Sequence, residues 1–111
     1  MKEVDHVSDN STYILVGDLT SIEENEPKEI YAGTKTIVVG KVDSKVYAVD
    51  GICTHAYAEL ANGDLDGHCL YCPLHFASFD IRDGSVIDGP PDQPLSTYEV
   101  ILKDDQVWIK I

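Results

Sequence analysis

Two cysteine–histidine pairs are the residues in this sequence best suited to chemistry. Cys53 and His55 form a C-x-H motif, and Cys72 and His75 form a C-x-x-H motif that begins after sixteen intervening residues. Thiolates and imidazoles bind zinc and iron–sulfur clusters, so the four side chains predict one metal centre held by two loops. The single-residue spacing of C-x-H suits a loop tip that feeds two different metal atoms better than a lone tetrahedral zinc. A structural zinc site remains an alternative.

In the segments that flank these loops, apolar residues alternate with polar ones at a period of two, which predicts β-strands. Short strands are expected at residues 13–16, 30–32, 36–39, 45–49, 98–102 and 107–111, with turns near Gly33, at residues 40–44 and at residues 103–105. Residues 21–28 predict no more than a turn. Several short strands at close spacing indicate an all-β protein, an antiparallel sandwich or barrel. The region from about 51 to 84 breaks the pattern and is expected to be an inserted metal-binding subdomain of two loops and short strands.

Length and charge limit the remaining possibilities. The chain has 111 residues with 8 Lys and Arg against 20 Asp and Glu, a formal net charge of −12. This length predicts a single domain spanning residues 1–111. Strong acidity disfavours nucleic acids and anionic membranes and favours a basic protein partner. The sequence shows no apolar run of membrane length and no secretory signal, so we expect a cytoplasmic protein whose three cysteines are metal ligands or free thiols.

The two motifs resemble the signature of Rieske-type [2Fe–2S] proteins, in which C-x-H is followed by C-x-x-H at about this separation. Residues 46–50, 79–80 and 89–95 are also similar to the family. The resemblance implies a Rieske fold and one [2Fe–2S] cluster per chain. It further implies that Cys53 and Cys72 bind the inner iron and that His55 and His75 bind the outer one. Replacing two thiolates by neutral imidazoles raises the reduction potential above that of four-cysteine clusters.

At several positions the sequence differs from respiratory Rieske proteins, which narrows the choice among Rieske subfamilies. The positions of a disulfide found in respiratory Rieske proteins are Ala58 and Leu74 here. The positions that carry Ser and Tyr hydroxyls near the cluster sulfurs in those proteins are Ala77 and Phe79. Fewer hydrogen bonds to sulfur lower the potential, so we expect a value near the low end of the Rieske range, about −150 mV. Phe76 stands where many relatives have a small residue or Met.

With these features of respiratory Rieske proteins missing, the sequence is similar to the Rieske ferredoxin of a bacterial aromatic-ring-hydroxylating oxygenase system. The resemblance implies an electron-transfer component that is not catalytic alone, in the degradation of aromatic compounds. Its partners would be a flavin-containing, NAD(P)H-dependent ferredoxin reductase and a terminal oxygenase, and the carrier itself would be a monomer. The alternatives are the ferredoxin of a multicomponent diiron monooxygenase, the small Rieske subunit of a nitrite-reductase-like complex, and a zinc-stabilised interaction module.

Other conspicuous residues predict structure more than chemistry. Cys69 is expected to be a buried strand thiol, His68 a surface or strand residue, and Trp108 a packing residue. Residues 64–67 are expected to form a turn between the two metal-binding loops. They are not expected to bind calcium, since a calcium loop needs more carboxylates and a distant Glu. Pro90, Pro91 and Pro94 are expected to form a rim that keeps water from the sulfurs.

Overall fold

A computed structural model of the chain describes residues 12–54, 58–74, 77–89 and 93–111. The described part is built almost entirely of strands. In chain order these are β1 Tyr13–Asp18, β2 Lys28–Ala32, β3 Lys35–Val42, β4 Lys45–Asp50, β5 Asp64–Asp66, β6 Cys69–Tyr71, β7 Ser78–Asp80, β8 Val86–Asp88, β9 Thr97–Lys103 and β10 Gln106–Lys110. Two single turns of 3₁₀ helix, Leu19–Ser21 and Leu60–Asn62, complete the regular structure. The expectation of an all-β protein is confirmed.

Six strands form the framework sheet, with every pair of neighbours antiparallel and the order β1-β10-β9-β4-β3-β2. Its edge strands β1 and β2 curl towards a shared apolar core. The side chains of this first core are Ile22, Ala32, Ile37, Val39, Ala48, Val107 and Ile109, with Ile14, Val16 and Ile30 packed against them. Because residues from both edge strands meet in one core, the sheet is curved into the sandwich-like or barrel-like shape that the sequence predicts.

The inserted region, together with β8 directly after it, forms a second, four-stranded antiparallel sheet in the order β5-β6-β7-β8. It packs on the outer face of β3 and β4 through a second core. The buried side chains of this core are Val38, Val42, Val49, Cys53, Leu60, Leu65, Leu70, Cys72, Ala77, Phe79, Ile81 and Leu95. Strand β3 is therefore buried on both faces, which explains its continuous apolar run. The two cysteines of the predicted metal centre belong to this second core.

Gly40 allows the two sheets to come this close. A Cβ atom at Gly40 would lie 2.6 Å from Leu65 Cδ2 and 2.7 Å from Ile81 Cδ1. The sequence prediction of a turn over residues 40–44 was wrong at its start, because β3 continues to Val42 and the turn is made by Asp43 and Ser44, both with positive φ. Glycine at position 40 serves close packing of strands and does not begin a turn.

The acidic segment at residues 64–67 also differs from its prediction. Asp64, Leu65 and Asp66 form β5, with Leu65 buried and both carboxylates exposed, and the turn begins only at Gly67. The two Asp side chains lie on the solvent side of an edge strand, where charge discourages pairing with another chain. In residues 21–28 the structure agrees with the prediction that no helix forms, since the regular structure there is limited to the end of the Leu19–Ser21 turn and the first residue of β2, Lys28. Among the described residues, no helix is long and apolar enough to span a membrane.

Candidate metal centre

The first cysteine lies just beyond the end of β4. Gly51 anchors this passage, because its N–H donates to the Thr36 carbonyl (2.8 Å) and its carbonyl accepts from the Leu60 N–H (2.8 Å). Cys53 follows, with 3% of its surface exposed, and its N–H donates to the carbonyl of Ala58 at 3.0 Å. The loop from 53 to 58 is thus closed on itself at its base.

The second cysteine occupies the same position in a second loop. Cys72 follows β6 directly, is fully buried, and donates its N–H to the Ala77 carbonyl at 3.0 Å. In both loops the cysteine therefore bonds to the carbonyl five residues later. Ala77 belongs to the second core and Ala58 packs against it, so both ends of each closed loop lie at that core.

The fold brings the two thiols together. The Cys53 thiol makes a side-chain hydrogen-bond contact with the Cys72 thiol, and both lie in the second core. Burial raises the pKa of the Cys72 thiol, while a hydrogen bond from the Leu74 backbone N–H lowers it and the neighbouring Cys53 raises it. Two adjacent thiolates repel each other, so the two cysteines ionise together only when a cation compensates their charge. This arrangement is suited to a metal centre with thiolate ligands.

A third segment, residues 93–96, lies against the first loop. The Thr54 hydroxyl donates to the Gln93 carbonyl at 2.9 Å. Leu95 is buried in the second core beside the cysteines, and its N–H donates to the Gly84 carbonyl at 2.8 Å. A Cβ atom at Gly84 would lie 2.1 Å from the Leu95 carbonyl oxygen, and φ at Gly84 is +78°. Glycine is therefore required there on two grounds, and it fixes the third segment beside the thiols.

The predicted residues are only partly within the described structure. His55, His75, Phe76, Pro90 and Pro91 lie outside the described residues, and their roles stay predictions. Pro94 is described and exposed, as expected for a rim residue.

The structure describes the four positions at which respiratory Rieske proteins have a disulfide or a hydroxyl near the cluster sulfurs. Ala58 is half-buried and Leu74 is exposed, and neither can form a disulfide between the two loops. Ala77 and Phe79 are both buried in the core that contains the thiols, and neither has a hydroxyl to donate. The described side chains at these two positions thus supply no hydrogen bond to sulfur.

The residues set aside as structural are not part of the second core, which contains Cys53 and Cys72. Cys69 is in β6, as predicted, but it is half-buried and its thiol contacts the Tyr71 hydroxyl, so the expectation of full burial was wrong. His68 is in the turn before β6, with its ring 5.8 Å from the Tyr47 ring in an edge-on arrangement. Trp108 is a strand residue with 3% of its surface exposed, which agrees with a packing role.

Sequence reasoning did not single out Asp50 and Thr54, which attach the third segment to the first loop. Asp50 accepts hydrogen bonds from the Ser96 N–H and the Tyr98 hydroxyl, and Thr54 donates to Gln93. The only signal in the sequence is their position, since Asp50 ends a predicted strand and Thr54 stands between two candidate ligands. Both contacts span about forty residues of sequence, and no local pattern predicts such pairs.

The described residues fit the [2Fe–2S] cluster that the motifs imply. Two buried, adjacent thiols lie at the bases of two similarly closed loops, in the same core as the buried apolar side chains of Leu60, Leu95 and Phe79. Thiolate ligands in a buried, apolar setting suit an iron–sulfur cluster, whose potential then depends on burial and on the hydrogen bonds to its sulfurs. In the [2Fe–2S] arrangement, half of the ligand set would come from these two cysteines.

Comparison with known proteins gives a consistent picture. The family profile of the Rieske [2Fe–2S] domain matches residues 12–99. The anthranilate 1,2-dioxygenase ferredoxin subunit of Burkholderia cepacia is 31% identical over 96 residues, which cover 86% of this chain and 89% of that protein. The solved structure of the Sphingomonas yanoikuyae B1 ferredoxin has a TM-score of 0.83 at 33% identity, covering 90% of this chain and 99% of that one.

A further solved structure contains a similar chain within an assembly. It is the complex of reduced oxygenase and oxidised ferredoxin in carbazole 1,9a-dioxygenase, and one of its chains matches with a TM-score of 0.82 at 28% identity, covering 86% of this chain and 99% of that one. The profile match spans most of the sequence and includes both cysteine loops. The chain therefore belongs to the Rieske [2Fe–2S] domain family, and its cofactor is a Rieske-type [2Fe–2S] cluster.

Proposed function

We propose that this chain is the ferredoxin of an aromatic-ring-hydroxylating oxygenase system, and that it carries single electrons from a flavin-containing, NAD(P)H-dependent reductase to the terminal oxygenase. The observation that carries the proposal is the pair of buried, adjacent thiols of Cys53 and Cys72 in a chain of the Rieske family. Relatives named as ferredoxin subunits of dioxygenases support the choice of system.

The proposed ligands are Cys53 and Cys72 for the inner iron and His55 and His75 for the outer iron. Both loops place their histidine after the cysteine, further along towards the loop tip. Neighbouring exposed residues support an outward position for the tips, since Thr54 and Leu74 are both exposed while the cysteines are buried. An electron leaving through the imidazoles would then cross only a short distance to a docked partner.

In this function the residues of the chain hold, shield and position the centre. When bound, the cluster accepts one electron and later releases it. Cys53 and Cys72 bind as thiolates, which releases their protons when the site is filled. Leu60, Leu95 and Phe79 exclude water from the sulfurs, and the hydrogen bonds that close both loops hold the ligands in one geometry. A site that moves little between its two charge states transfers electrons with little reorganisation.

Electron transfer of this kind needs no substrate pocket and no general base, so we propose that the chain is not an enzyme on its own. We further propose that residues 1–111 form one domain, that the carrier is a monomer, and that it works in the cytoplasm. Its net charge of −12 supports partners whose docking faces are basic. Redox partners of this type bind through small, transient interfaces below about 1,200 Å².

Substitution of each proposed ligand tests the assignment, because the chain offers a matched control for both residue types. Cys53→Ser and Cys72→Ser are expected to abolish the visible absorption of the cluster and its bound iron and sulfide, whereas Cys69→Ser keeps them. His55→Ala and His75→Ala are expected to behave in the same way relative to His68→Ala. Loss of the cluster in the control variants, or its retention in the ligand variants, would contradict the assignment.

Reconstituted turnover tests the role. The purified holoprotein, supplied with NADH and a flavin-containing ferredoxin reductase, is expected to support product formation by a ring-hydroxylating oxygenase in proportion to its concentration. Electron delivery only to a diiron hydroxylase would replace the proposal by the monooxygenase alternative. A colourless preparation that contains zinc and no iron would refute electron transfer altogether.

A further inference from the structure

We infer that Asp50 is a positioning residue for the metal centre: its carboxylate, with Tyr98 and Ser96, holds the third segment, residues 93–96, in fixed register beside the Cys53 loop. We call this set of contacts the Asp50 latch. The inference rests on the proposed function in that Cys53 is taken as a ligand. It concerns residues outside the proposed ligand set, which act on the centre through the loops that they join.

The latch consists of three hydrogen bonds between the end of β4 and the start of β9. The Tyr98 hydroxyl donates to Asp50 Oδ1 at 2.6 Å, and the Ser96 N–H donates to Asp50 Oδ2 at 3.0 Å. The Asp50 N–H in turn donates to the Ser96 carbonyl at 2.9 Å. Both carboxylate oxygens are thus satisfied by residues on one side, and bonds to a charged acceptor are stronger than neutral ones.

The latch is connected to the centre through both ends of the third segment. Asp50 holds Ser96, while Thr54, next to Cys53, holds the Gln93 carbonyl at 2.9 Å. Between these two attachments lies Leu95, which is buried in the same core as the two cysteines. Loss of the carboxylate bonds would leave the segment held by the backbone bond from the Asp50 N–H to the Ser96 carbonyl, by Thr54 and by the Leu95 bond to Gly84, a looser attachment that lets Leu95 shift relative to the thiols.

Solvent already reaches the outer side of the latch. A pocket of about 320 Å³ is lined by Lys35, Thr36, Asp50, Ile52, Ser96 and Tyr98. Lys35 Nζ lies over the Tyr98 ring, 5.3 Å from its centre. Ile52, which lines this pocket, directly precedes the buried Cys53. The latch therefore stands between an open pocket and the base of the first cysteine loop.

Two variants of the holoprotein test the inference. Asp50→Asn removes the charge and keeps the size of the side chain, and Tyr98→Phe removes one hydroxyl without changing charge. Each is expected to speed the loss of visible absorbance in the presence of a ferrous-iron chelator by about fivefold, the factor that corresponds to one lost hydrogen bond. Each is also expected to raise the reduction potential, because water near the sulfurs stabilises the more negative reduced state.

Tyr31→Phe is the matched control. Its hydroxyl donates to Glu29 Oε1 at 2.5 Å on an exposed surface, so this variant also loses one tyrosine–carboxylate bond. It is expected to leave both the rate of cluster loss and the potential unchanged. The potential of Tyr98→Phe is decisive, because a purely structural weakening without movement near the centre would not change it.

The double variant completes the test. Since Asp50 and Tyr98 share one of the latch's hydrogen bonds, their combined effect on the rate should be smaller than the product of the single effects. Unchanged rates and potential in Tyr98→Phe, equal effects of Tyr31→Phe, or fully multiplicative effects in the double variant would overturn the inference. In each of these outcomes the wild-type chain still binds its cluster, so the proposed function is unaffected. A wild-type chain that binds no iron would instead refute the proposed function.

Discussion

Gly63 lies against the backbone of Tyr71, so close that a Cβ atom at Gly63 would be 1.8 Å from the Tyr71 carbonyl oxygen and 3.2 Å from the Pro73 nitrogen. Tyr71 and Pro73 flank Cys72, and Gly63 belongs to the segment that connects the two cysteine loops. Since φ at Gly63 is −90°, the need for glycine here is one of space and not of backbone conformation. The segment between the loops therefore fixes the position of the second cysteine by direct contact.

Gly63→Ala is expected to impair cluster assembly. The backbone around Cys72 must move to admit the methyl group, and overpacking of this kind costs about 3 kcal/mol or more. Iron and sulfide content per chain, measured after anaerobic reconstitution, should fall clearly below that of the wild type. Gly67→Ala is the control in the neighbouring turn: a Cβ there meets nothing within 4 Å, and the φ of +59° costs only about 1 kcal/mol. Equal iron content in the two variants would contradict the prediction.

The strands of the framework sheet could be predicted because their alternation records burial on one face. Residues 98–102 and 107–111 gave β9 and β10 to within a residue or two at each end. The ends of the strands were harder to predict, because they depend on contacts between distant segments. The sequence predicts a turn from Gly40, but β3 continues through this residue, and Leu65 and Ile81 of the inserted region occupy the space beside it. Nothing near position 40 in the sequence records that contact.

The metal centre was predicted for a related reason. The ligand types and spacings are local, so the two motifs could be recognised without knowledge of the fold. The supports of the centre are not local, since Asp50 meets Tyr98 and Thr54 meets Gln93 across long stretches of chain. Cys69 shows the converse limit: its strand could be predicted, but its partial exposure follows from where β6 lies in the small sheet.

Phe79→Tyr is expected to raise the reduction potential. Phe79 is fully buried in the core that contains both cysteines, and a hydroxyl there would donate to a cluster sulfur. A hydrogen bond to a charged group contributes about 1.5 kcal/mol or more, which corresponds to a rise of about 60 mV or more for one electron. Ala77→Ser should shift the potential in the same direction. A spectroelectrochemical titration measures both shifts.

Tyr71→Phe serves as the control for the potential measurements. The Tyr71 hydroxyl contacts Cys69 on the surface of β6 and not the buried thiols, so its removal should leave the potential unchanged. A potential for Phe79→Tyr that equals or falls below the wild-type value would show that the added hydroxyl does not reach sulfur.

The stability of the folded protein is expected to fall between about pH 10 and pH 12. Burial and the hydrogen bond to Asp50 raise the pKa of Tyr98 from 10.0 to about 12. The folded state therefore holds this proton after the unfolded state has lost it, and the resulting stabilisation, complete below pH 10, disappears as the pH rises towards 12. Urea unfolding midpoints measured across this range should decline more steeply for the wild type than for Tyr98→Phe. Parallel curves would show that Tyr98 contributes nothing to the decline.

The rate of electron delivery to the oxygenase is expected to fall as the salt concentration rises. A formal charge of −12 attracts a basic docking face over a distance of about 10 Å at 0.1 M salt, and steering of this kind raises association rates by about 10-fold or more. Glu59, exposed and paired with Ile52 beside the Cys53 loop, should contribute to steering, so Glu59→Gln should reduce the salt dependence. Glu23→Gln is the control, because it removes the same charge at a different place. Glu23 precedes Glu24, which accepts hydrogen bonds from the β3–β4 turn, at the end of β3 away from the Cys53 loop. This variant should have less effect on the salt dependence. Stopped-flow rates that do not change with ionic strength would mean that the acidic surface serves solubility and not the encounter with the partner.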